Sequence, residues 1–194
     1  VGMLQTLVRM DTTNPPGNEI LCIQYLDHLL QEAGLPTTIL AKDPIRPNLI
    51  ARLKGRGEAP GLVLQGHVDV VTTANQKWAR NPFGGEIVDG HLWGRGSLDM
   101  KGGVVMMTCA VLRALAEGIQ PAGAVPLPSV ADEEAGSDYG ARFVTEQHPE
   151  QFAGAAYAIG EGGGGAQYLG DQRFYPLMVA EKQVCWLRTR LTGP

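Results

Sequence analysis

A chain of 194 residues is long enough for one domain with a substantial core, and 44% hydrophobic with 19% charged residues is typical of a globular protein. The formal net charge of −4 argues against nucleic acid and against an anionic membrane surface as partners. No apolar run approaches the roughly 20 residues that a membrane-spanning helix needs. Cys22, Cys109 and Cys185 lie far apart in apolar surroundings, so we expect buried free thiols and, from them, a cytoplasmic location.

Helical spacing and short apolar runs alternate along the chain. The predicted elements are helices over 1–10 and 19–33, strands over 36–41, 48–54 and 62–65, a buried helix over 102–117, a strand over 124–131, a helix over 137–147, a strand over 155–159 and one or two strands over 177–191. Residues 70–101 form a long connection of the kind that is functional or disordered. This alternation predicts an α/β fold, a three-layer sandwich with a mostly parallel mixed sheet and helices on both faces.

Four predicted strand-to-loop transitions carry side chains suited to a metal ion. The first is QGHVDVV, in which His67 and Asp69 lie two residues apart at the end of a strand and point the same way. A histidine can bind zinc through one ring nitrogen while a nearby carboxylate orients it. Taken alone, the pair is better interpreted as an ordinary surface His–Asp contact.

The second transition is GRGSLDMKGG, where Asp99 lies in a glycine-rich turn that opens a helix. Such a turn can fold tightly around an ion, but Asp99 could also be a plain helix cap. A phosphate-binding loop is a third interpretation, although the spacing does not match GxxxxGK[ST].

The remaining two transitions place carboxylates after strands. ADEEAG carries Glu133 and Glu134, which on an extended backbone would point to opposite sides, and AIGEGGGG carries Glu161. Taken alone, each is best interpreted as a solvated acidic turn or an exposed loop carboxylate. Four such transitions in one chain, all with ligands that zinc, cobalt or manganese accept, favour a metal site. The run Gly162–Gly165 is compatible with a linker or with a tight functional turn.

The motifs HVDVV, NPFGGEIVDGHLWGRGSLDMKGG, DEEAGSDYGA and GEGGG, in this order and preceded by TTNPPGNE, resemble a known zinc-dependent family. It comprises acetylornithine deacetylase, succinyl-diaminopimelate desuccinylase, aminoacylase and the carboxypeptidase S- and G-type enzymes. The resemblance implies a zinc-peptidase-like catalytic domain and an exopeptidase or deacylase activity. The substrate would be a small N-acyl amino acid or peptide, cleaved at a linear amide or peptide bond through a metal-bridging water.

The resemblance also implies a role for each motif residue at a centre of two zinc ions, with cobalt or manganese as alternatives. The implied metal ligands are His67, Asp99, Glu134 and Glu161. Asp99 would bridge both ions and be followed by a cis peptide, Glu161 would share the ion of His67, and Glu134 would bind the second ion.

Two further residues have implied catalytic roles. Asp69 would orient His67, and Glu133 would act as the general base that takes a proton from the water and passes it to the leaving nitrogen.

Two features depart from the family pattern. Relatives have a further histidine ligand after an inserted lid domain, and His28, His91 and His148 do not match it, so the second zinc would lack one protein ligand. Pro126 and Pro128 interrupt the strand before DEE, where proline removes ladder hydrogen bonds. We expect either a shorter or distorted strand or a poorer placement of the two glutamates.

These two departures affect the domain organisation and the oligomeric state that we expect. We expect residues 1–183 to be the N-terminal part of an incomplete metallohydrolase catalytic domain, and 184–194 to begin a dimerisation or lid domain that is otherwise absent. A homodimer is expected only where that lid domain is present. The alternative functions are a non-catalytic metal-binding fragment or degenerate relative, and an interaction module that binds no metal.

Overall fold

The structure is a computed structural model that describes residues 1–161, 166–176, 187 and 189–193. The chain divides into two compact units, Val1–Glu161 and Gly162–Pro194. All the predicted site residues lie in the first unit, whereas the described part of the second contains an antiparallel hairpin of β9 (Gln167–Leu169) and β10 (Gln172–Phe174). Within the described ranges, no helix is both long enough and apolar enough to cross a membrane.

The helices of the first unit follow the predicted periodicity. They are α1 (Gly2–Arg9), α2 (Ile20–Glu32), α3 (Lys101–Ala116) and α4 (Ala141–Gln147). In α2, Ile23, Leu26 and Leu30 are buried on one face, and each such side chain stabilises the fold by about 1.5–3 kcal/mol relative to an exposed one. Gly34 follows the helix with a φ of 81° and reverses the chain, as the sequence predicts.

A mixed sheet forms the middle layer. Its strands and neighbours are β1 (Thr37–Leu40), β2 (Asn48–Leu53), β3 (Gly61–Leu64), β4 (Gly66–His67), β5 (Glu86–Val88), β6 (His91–Trp93), β7 (Val125–Val130) and β8 (Ala155–Ile159). The order β1–β2–β7–β4 combines two antiparallel pairs with the parallel pair β4–β7, and β3 pairs in parallel with β8. The α/β class with a mixed sheet agrees with the prediction, and the parallel pairs are those that lead into the candidate site.

Helices cover both faces of this sheet. Leu49 of β2 and Leu127 of β7 belong to the main hydrophobic core, which also contains side chains of α1, α2 and α3. On the opposite face, Val130 of β7 and Val144 of α4 line a shared apolar cavity. The alternation of side chains along β7 produces this division, because successive residues of a strand point to opposite faces.

Pro126 and Pro128 lie inside β7, which is a six-residue strand from Val125 to Val130 despite them. The backbone N–H and C=O groups of the even-numbered residues in and beside β7 face β3 and β4. Leu62 N donates to Ala124 O and Val68 N donates to Val130 O, both at 3.0 Å. Each proline therefore removes a donor on that side and leaves the antiparallel register with β2 intact. Among the described strands, β7 pairs with β2 and β4, whereas β3 pairs with β8.

Two elements differ from the sequence prediction. Helix α4 starts at Ala141 and not at 137, because Gly136 and Ser137 adopt positive φ values of 118° and 65° that interrupt a helix. The long connection 70–101 contains the β5–β6 hairpin, turned by Asp89 and Gly90 with φ values of 49° and 76°. An Asp-Gly pair between short strands is a hairpin signal that the sequence prediction overlooked.

Burial also corrects two expectations. Cys22 is a buried free thiol as predicted, but Cys109 is exposed on α3. Met106, which we expected to be buried, is 71% exposed, so α3 is buried along one face and not all round.

Several expectations lie largely or wholly outside the described residues. They are the strands over 177–191, the turn at Gly162–Gly165, the domain boundary between 183 and 184, and the burial of Cys185.

Candidate metal centre

The predicted ligands meet at the carboxyl ends of parallel strands. His67 is the last residue of β4, Glu133 and Glu134 follow β7, and Glu161 follows β8. Because β4 runs parallel to β7 and β3 runs parallel to β8, these ends share one edge of the sheet. Asp99 reaches the same place from the loop before α3, and the peptide bond after it is cis, as expected.

Three carboxylates surround the imidazole of His67. Its Nε2 atom lies 2.8 Å from Glu161 Oε2, 3.2 Å from Asp99 Oδ1 and 3.7 Å from Glu133 Oε2. The His67 side chain is buried, whereas the three carboxylates are partly exposed. The cluster is therefore anchored on a buried ring and open to solvent on its carboxylate side, where a substrate could enter.

Potential ligand atoms fall into two overlapping groups, each within 4.8 Å. One group is His67, Asp99 and Glu161, and the other is His67, Glu133 and Glu134. The structure thus brings all the predicted ligands together with the predicted base.

Asp69 holds the other side of the ring. Its backbone oxygen lies 3.0 Å and its Oδ1 lies 3.3 Å from Nδ1 of His67. A carbonyl oxygen can only accept, so Nδ1 carries a proton, and when the ring is neutral its Nε2 can offer a lone pair to a cation. The same carboxylate accepts hydrogen bonds from the backbone N–H groups of Glu133 (3.1 Å) and Glu134 (3.0 Å).

Glu133 and Glu134 lie in a different conformation from the one expected. They occupy a 3₁₀ turn, Glu133–Ala135, so the extended-backbone argument for opposite directions does not apply. In this turn each carboxylate places an oxygen within 4.8 Å of a ring nitrogen of His67. The buried Oε1 of Glu134 has no hydrogen-bond partner among the described residues.

The electrostatics of the cluster reflect crowded negative charge. Burial, and then the charge of Asp99, raise the pKa of Glu134 to about 7. Burial also raises the pKa of Glu133 above its usual range. For His67, burial lowers the pKa, but the hydrogen bond and charge of Asp69, with further carboxylates, outweigh it and raise the value to about 10. Without a metal ion, the proton on His67 is the nearest counter-charge.

These features fit a divalent cation. The orphaned Oε1 of Glu134 and the raised carboxylate pKa values both indicate a missing positive charge. One imidazole nitrogen with several carboxylate oxygens is a donor set that zinc, cobalt and manganese accept. Asp99 does not act as a side-chain cap of α3, so the helix-cap alternative is not what the structure shows.

The other three histidines of the chain lie elsewhere. His28 is exposed on α2 beside Glu32, and His91 is exposed in β6 with its ring near Asp89 O. His148 follows α4, half-buried against the ring of Phe143. None belongs to the two ligand groups, in agreement with the expectation that they do not replace the missing histidine ligand.

Sequence reasoning missed several polar residues that hold the site. Asn14 donates to Asp69 Oδ2 at 2.8 Å and to Asp132 Oδ1 at 2.9 Å, and Arg46 forms ion pairs with Glu19 and Asp132. What marks these residues is the burial of a polar side chain, which becomes apparent only in the folded structure. Local spacing gives no such clue, because Asn14 and Asp132 are 118 residues apart.

Fold and site together define an α/β protein with a candidate metal centre, in which a histidine and carboxylates meet at the carboxyl edge of a mixed sheet. Residues 63–173 match the sequence profile of peptidase family M20/M25/M40, which is more than half of the chain. The chain belongs to this family, whose members are metal-dependent hydrolases acting on small acyl-amino acids or peptides, and the resemblance seen in the sequence is confirmed.

Individual relatives and solved structures agree with this membership. A succinyl-diaminopimelate desuccinylase of Cereibacter sphaeroides is 38% identical over 138 residues, which are 71% of this chain and 35% of that protein. An M20 family metallo-carboxypeptidase from Sulfolobus solfataricus has a similar fold (TM-score 0.73, 21% identity, 84% of this chain and 37% of that one). So does a dinuclear metal-binding M20 peptidase of Bacillus subtilis (TM-score 0.57, 19% identity, 82% and 41%). The chain therefore spans about a third of the length of the curated relative it matches.

Proposed function

We propose that this chain carries most of the centre of a dinuclear metal-dependent hydrolase that cleaves a linear amide bond. His67, Asp99 and Glu161 would hold one divalent ion, and Asp99 and Glu134 would hold the second. The observation that carries the proposal is the convergence of three carboxylates on the buried Nε2 of His67, at 2.8, 3.2 and 3.7 Å. Zinc is the ion we propose, with cobalt or manganese as alternatives.

When bound, the two ions would supply Lewis-acid polarisation of the scissile carbonyl and a lowered pKa for water. Glu133 is partly exposed and lies 3.7 Å from Nε2 of His67, so its carboxylate can face both the centre and an incoming substrate. Its raised pKa suits a group that removes a proton from water and returns it to the leaving nitrogen. Asp69 would keep the ring of His67 in place throughout.

For the substrate, we propose an N-acyl amino acid, with small peptides as the second choice. Support comes from the relative at 38% identity, which bears the name succinyl-diaminopimelate desuccinylase. An N-succinyl amino acid is therefore the first substrate to assay, followed by N-acetyl amino acids and dipeptides.

The experiment compares the purified chain with its Glu133→Gln variant in the presence of zinc, cobalt or manganese. We expect hydrolysis of at least one N-acyl substrate and a loss of about 10²–10⁴-fold in kcat in the variant, because the proton carrier is removed. Glu146→Gln, at an exposed position of α4, is the matched control and should retain full activity. Activity within tenfold of the parent in Glu133→Gln would contradict the assigned base.

A second candidate function is metal binding without turnover. It is favoured by the distance of His28, His91 and His148 from the ligand groups, which leaves the second ion with Asp99 and Glu134 as its proposed ligands. Metal analysis separates the candidates, since tight binding of a single ion with no hydrolysis supports the second and excludes the first for this chain.

The domain assignment and the wider setting remain proposals. We propose that residues 1–183 belong to the catalytic domain and that 184–194 begin a lid or dimerisation domain, which would also be needed for a homodimer. A cytoplasmic setting is proposed from the free thiols of Cys22 and Cys109.

A further inference from the structure

The segment Ala131–Glu134, here called the acidic loop, is held by buried side chains at every one of its backbone N–H groups. The acceptors for residues 131 to 134 in turn are Asn48 Oδ1 (3.0 Å), Glu19 Oε1 (3.2 Å), Asp69 Oδ1 (3.1 Å) and Asp69 Oδ2 (3.0 Å). These acceptors lie far from the loop in sequence and are fully buried. The conformation of the loop is therefore imposed from outside, and not by its own short 3₁₀ turn.

Three buried carboxylates take part in this arrangement, and two side chains balance them. Arg46 Nη2 lies 2.6 Å from Glu19 Oε1 and 3.1 Å from Asp132 Oδ1. Asn14 donates one amide hydrogen to Asp69 and the other to Asp132. A buried carboxylate without such partners is destabilised, so the contacts of Arg46 and Asn14 stabilise all three carboxylates in these positions.

Asp132 is contacted by both Arg46 and Asn14. Its φ of 60° lies in the left-handed region, which is uncommon outside glycine although aspartate tolerates it better than most residues. Its Oδ1 accepts from Asn14, and its Oδ2 accepts from the backbone N–H of Tyr139 at 3.1 Å. The next two residues along the chain are Glu133 and Glu134, so the direction in which both carboxylates leave the backbone depends on Asp132.

We propose that Asn14 and Arg46 are positioning residues, which act on the metal centre by fixing the acidic loop before any ion binds. Asn14 ties Asp132 to Asp69, and Arg46 holds Asp132 and Glu19 in place through its ion pairs. The inference rests on the proposed function in its assignment of Glu134 to the second ion, whereas the fixing of the loop is independent of it. Neither residue belongs to the ligand groups, so each acts through Glu133 and Glu134.

The test uses Asn14→Ala, with Asn18→Ala, an exposed position of the same segment, as the matched control. Amide hydrogen exchange of the metal-free chain should show the Glu133 and Glu134 amides exchanging more than tenfold faster in Asn14→Ala, with little change in β7. Cobalt titration should show the ion bound by Glu134 weakened about 10–100-fold, and the ion of His67, Asp99 and Glu161 less affected. A purely structural role would instead raise exchange throughout the unit and weaken both ions equally.

A second variant, Arg46→Lys, keeps the charge but not the fork of hydrogen bonds, and decides the matter if Asn14→Ala does not fold. It should change the same amides in the same direction to a smaller extent. Unchanged exchange at Glu133 and Glu134 in both variants overturns the inference. Failure of the parent chain to bind two ions overturns the proposed function instead. The exchange result then still tests whether Asn14 and Arg46 fix the acidic loop.

Discussion

Asp69 makes more hydrogen bonds than the orientation of one histidine requires. Its two oxygens face Nδ1 of His67, the side chain of Asn14 and the backbone N–H groups of Glu133 and Glu134. Burial raises the pKa of this carboxyl, but the hydrogen bonds from His67 and Asn14 outweigh it and keep the pKa below its usual range. The lowered pKa favours the charged form of Asp69, which links the histidine to the acidic loop as a hydrogen-bond acceptor.

Replacing Asp69 with asparagine should therefore do more than loosen the ring of His67. One oxygen becomes an NH₂ group that faces donors, and we expect a loss of about 1–3 kcal/mol in the free energy of unfolding of the metal-free chain. Metal affinity should fall about 10–100-fold, as for other residues that support a ligand. Urea unfolding and cobalt titration measure the two effects, and Asp138→Asn at an exposed ion pair is the control. An effect on metal affinity alone would show that the backbone hydrogen bonds are unimportant.

Proton competition at His67 and Glu134 makes metal binding pH-dependent. A metal must displace the proton of His67, whose pKa is raised to about 10, so affinity should rise about tenfold per pH unit throughout the neutral range. Below about pH 7 a second proton, on Glu134, competes as well and the slope should steepen. Calorimetry between about pH 6 and 8, in buffers of different ionisation enthalpy, measures affinity and proton release. His28→Gln should leave the slope unchanged, and a pH-independent affinity would contradict the prediction.

At the scale of elements, Lys101 joins two helices beneath the site. It is fully buried at the start of α3, and its Nζ donates to Leu7 O (2.9 Å) and Met10 O (2.7 Å) at the end of α1. Burial lowers the pKa of Lys101, and the charge of the ammonium is balanced by carbonyl groups at the negative end of the α1 dipole. Since Lys101 lies two residues after Asp99, this contact also anchors the loop that delivers Asp99.

We expect Lys101→Met, which keeps the length of the side chain, to lower the free energy of unfolding by about 1–3 kcal/mol because two buried carbonyl groups lose their donor. Chemical denaturation measures this, and Lys77→Met at an exposed position should change stability by less than about 0.5 kcal/mol. An equal effect in both variants would show that the buried ammonium contributes nothing specific.

At the scale of the whole molecule, the metal centre links separate parts of the first unit. His67, Asp99, Glu133 and Glu161 come from four different segments, and a bound cation would further relieve the mutual repulsion of the three carboxylates. Ligands that bind only the folded state stabilise it by mass action.

Removal of metal by a chelator should accordingly destabilise the chain. At a free metal concentration of about 100 times Kd, the stabilisation amounts to about 2.7 kcal/mol, and it should vanish on chelation. Thermal or urea unfolding with and without chelator measures it. Glu161→Gln removes one ligand of the His67 ion and should reduce the difference, whereas Glu150→Gln on the surface should not. A chain whose stability does not respond to metal would contradict the proposed centre.

Much of the fold could be predicted from the sequence because the relevant signals are local. The periodicity of Ile23, Leu26 and Leu30, and the glycine at 34, place α2 correctly. The β5–β6 hairpin was within reach through Asp89 and Gly90. Tolerance of the prolines in β7 was not, because it depends on which neighbour each backbone N–H faces.

The proposed site residues and their order along the chain follow from the sequence itself, since His67, Asp99, Glu133, Glu134 and Glu161 lie in recognisable motifs. Only the tertiary structure decided that these side chains converge, that the two glutamates share a turn, and that Asn14, Glu19 and Arg46 hold that turn. The physical reason is that hydrogen bonds between residues 14 and 132, or 46 and 132, form after the chain has closed long loops. No local spacing in the sequence records such contacts.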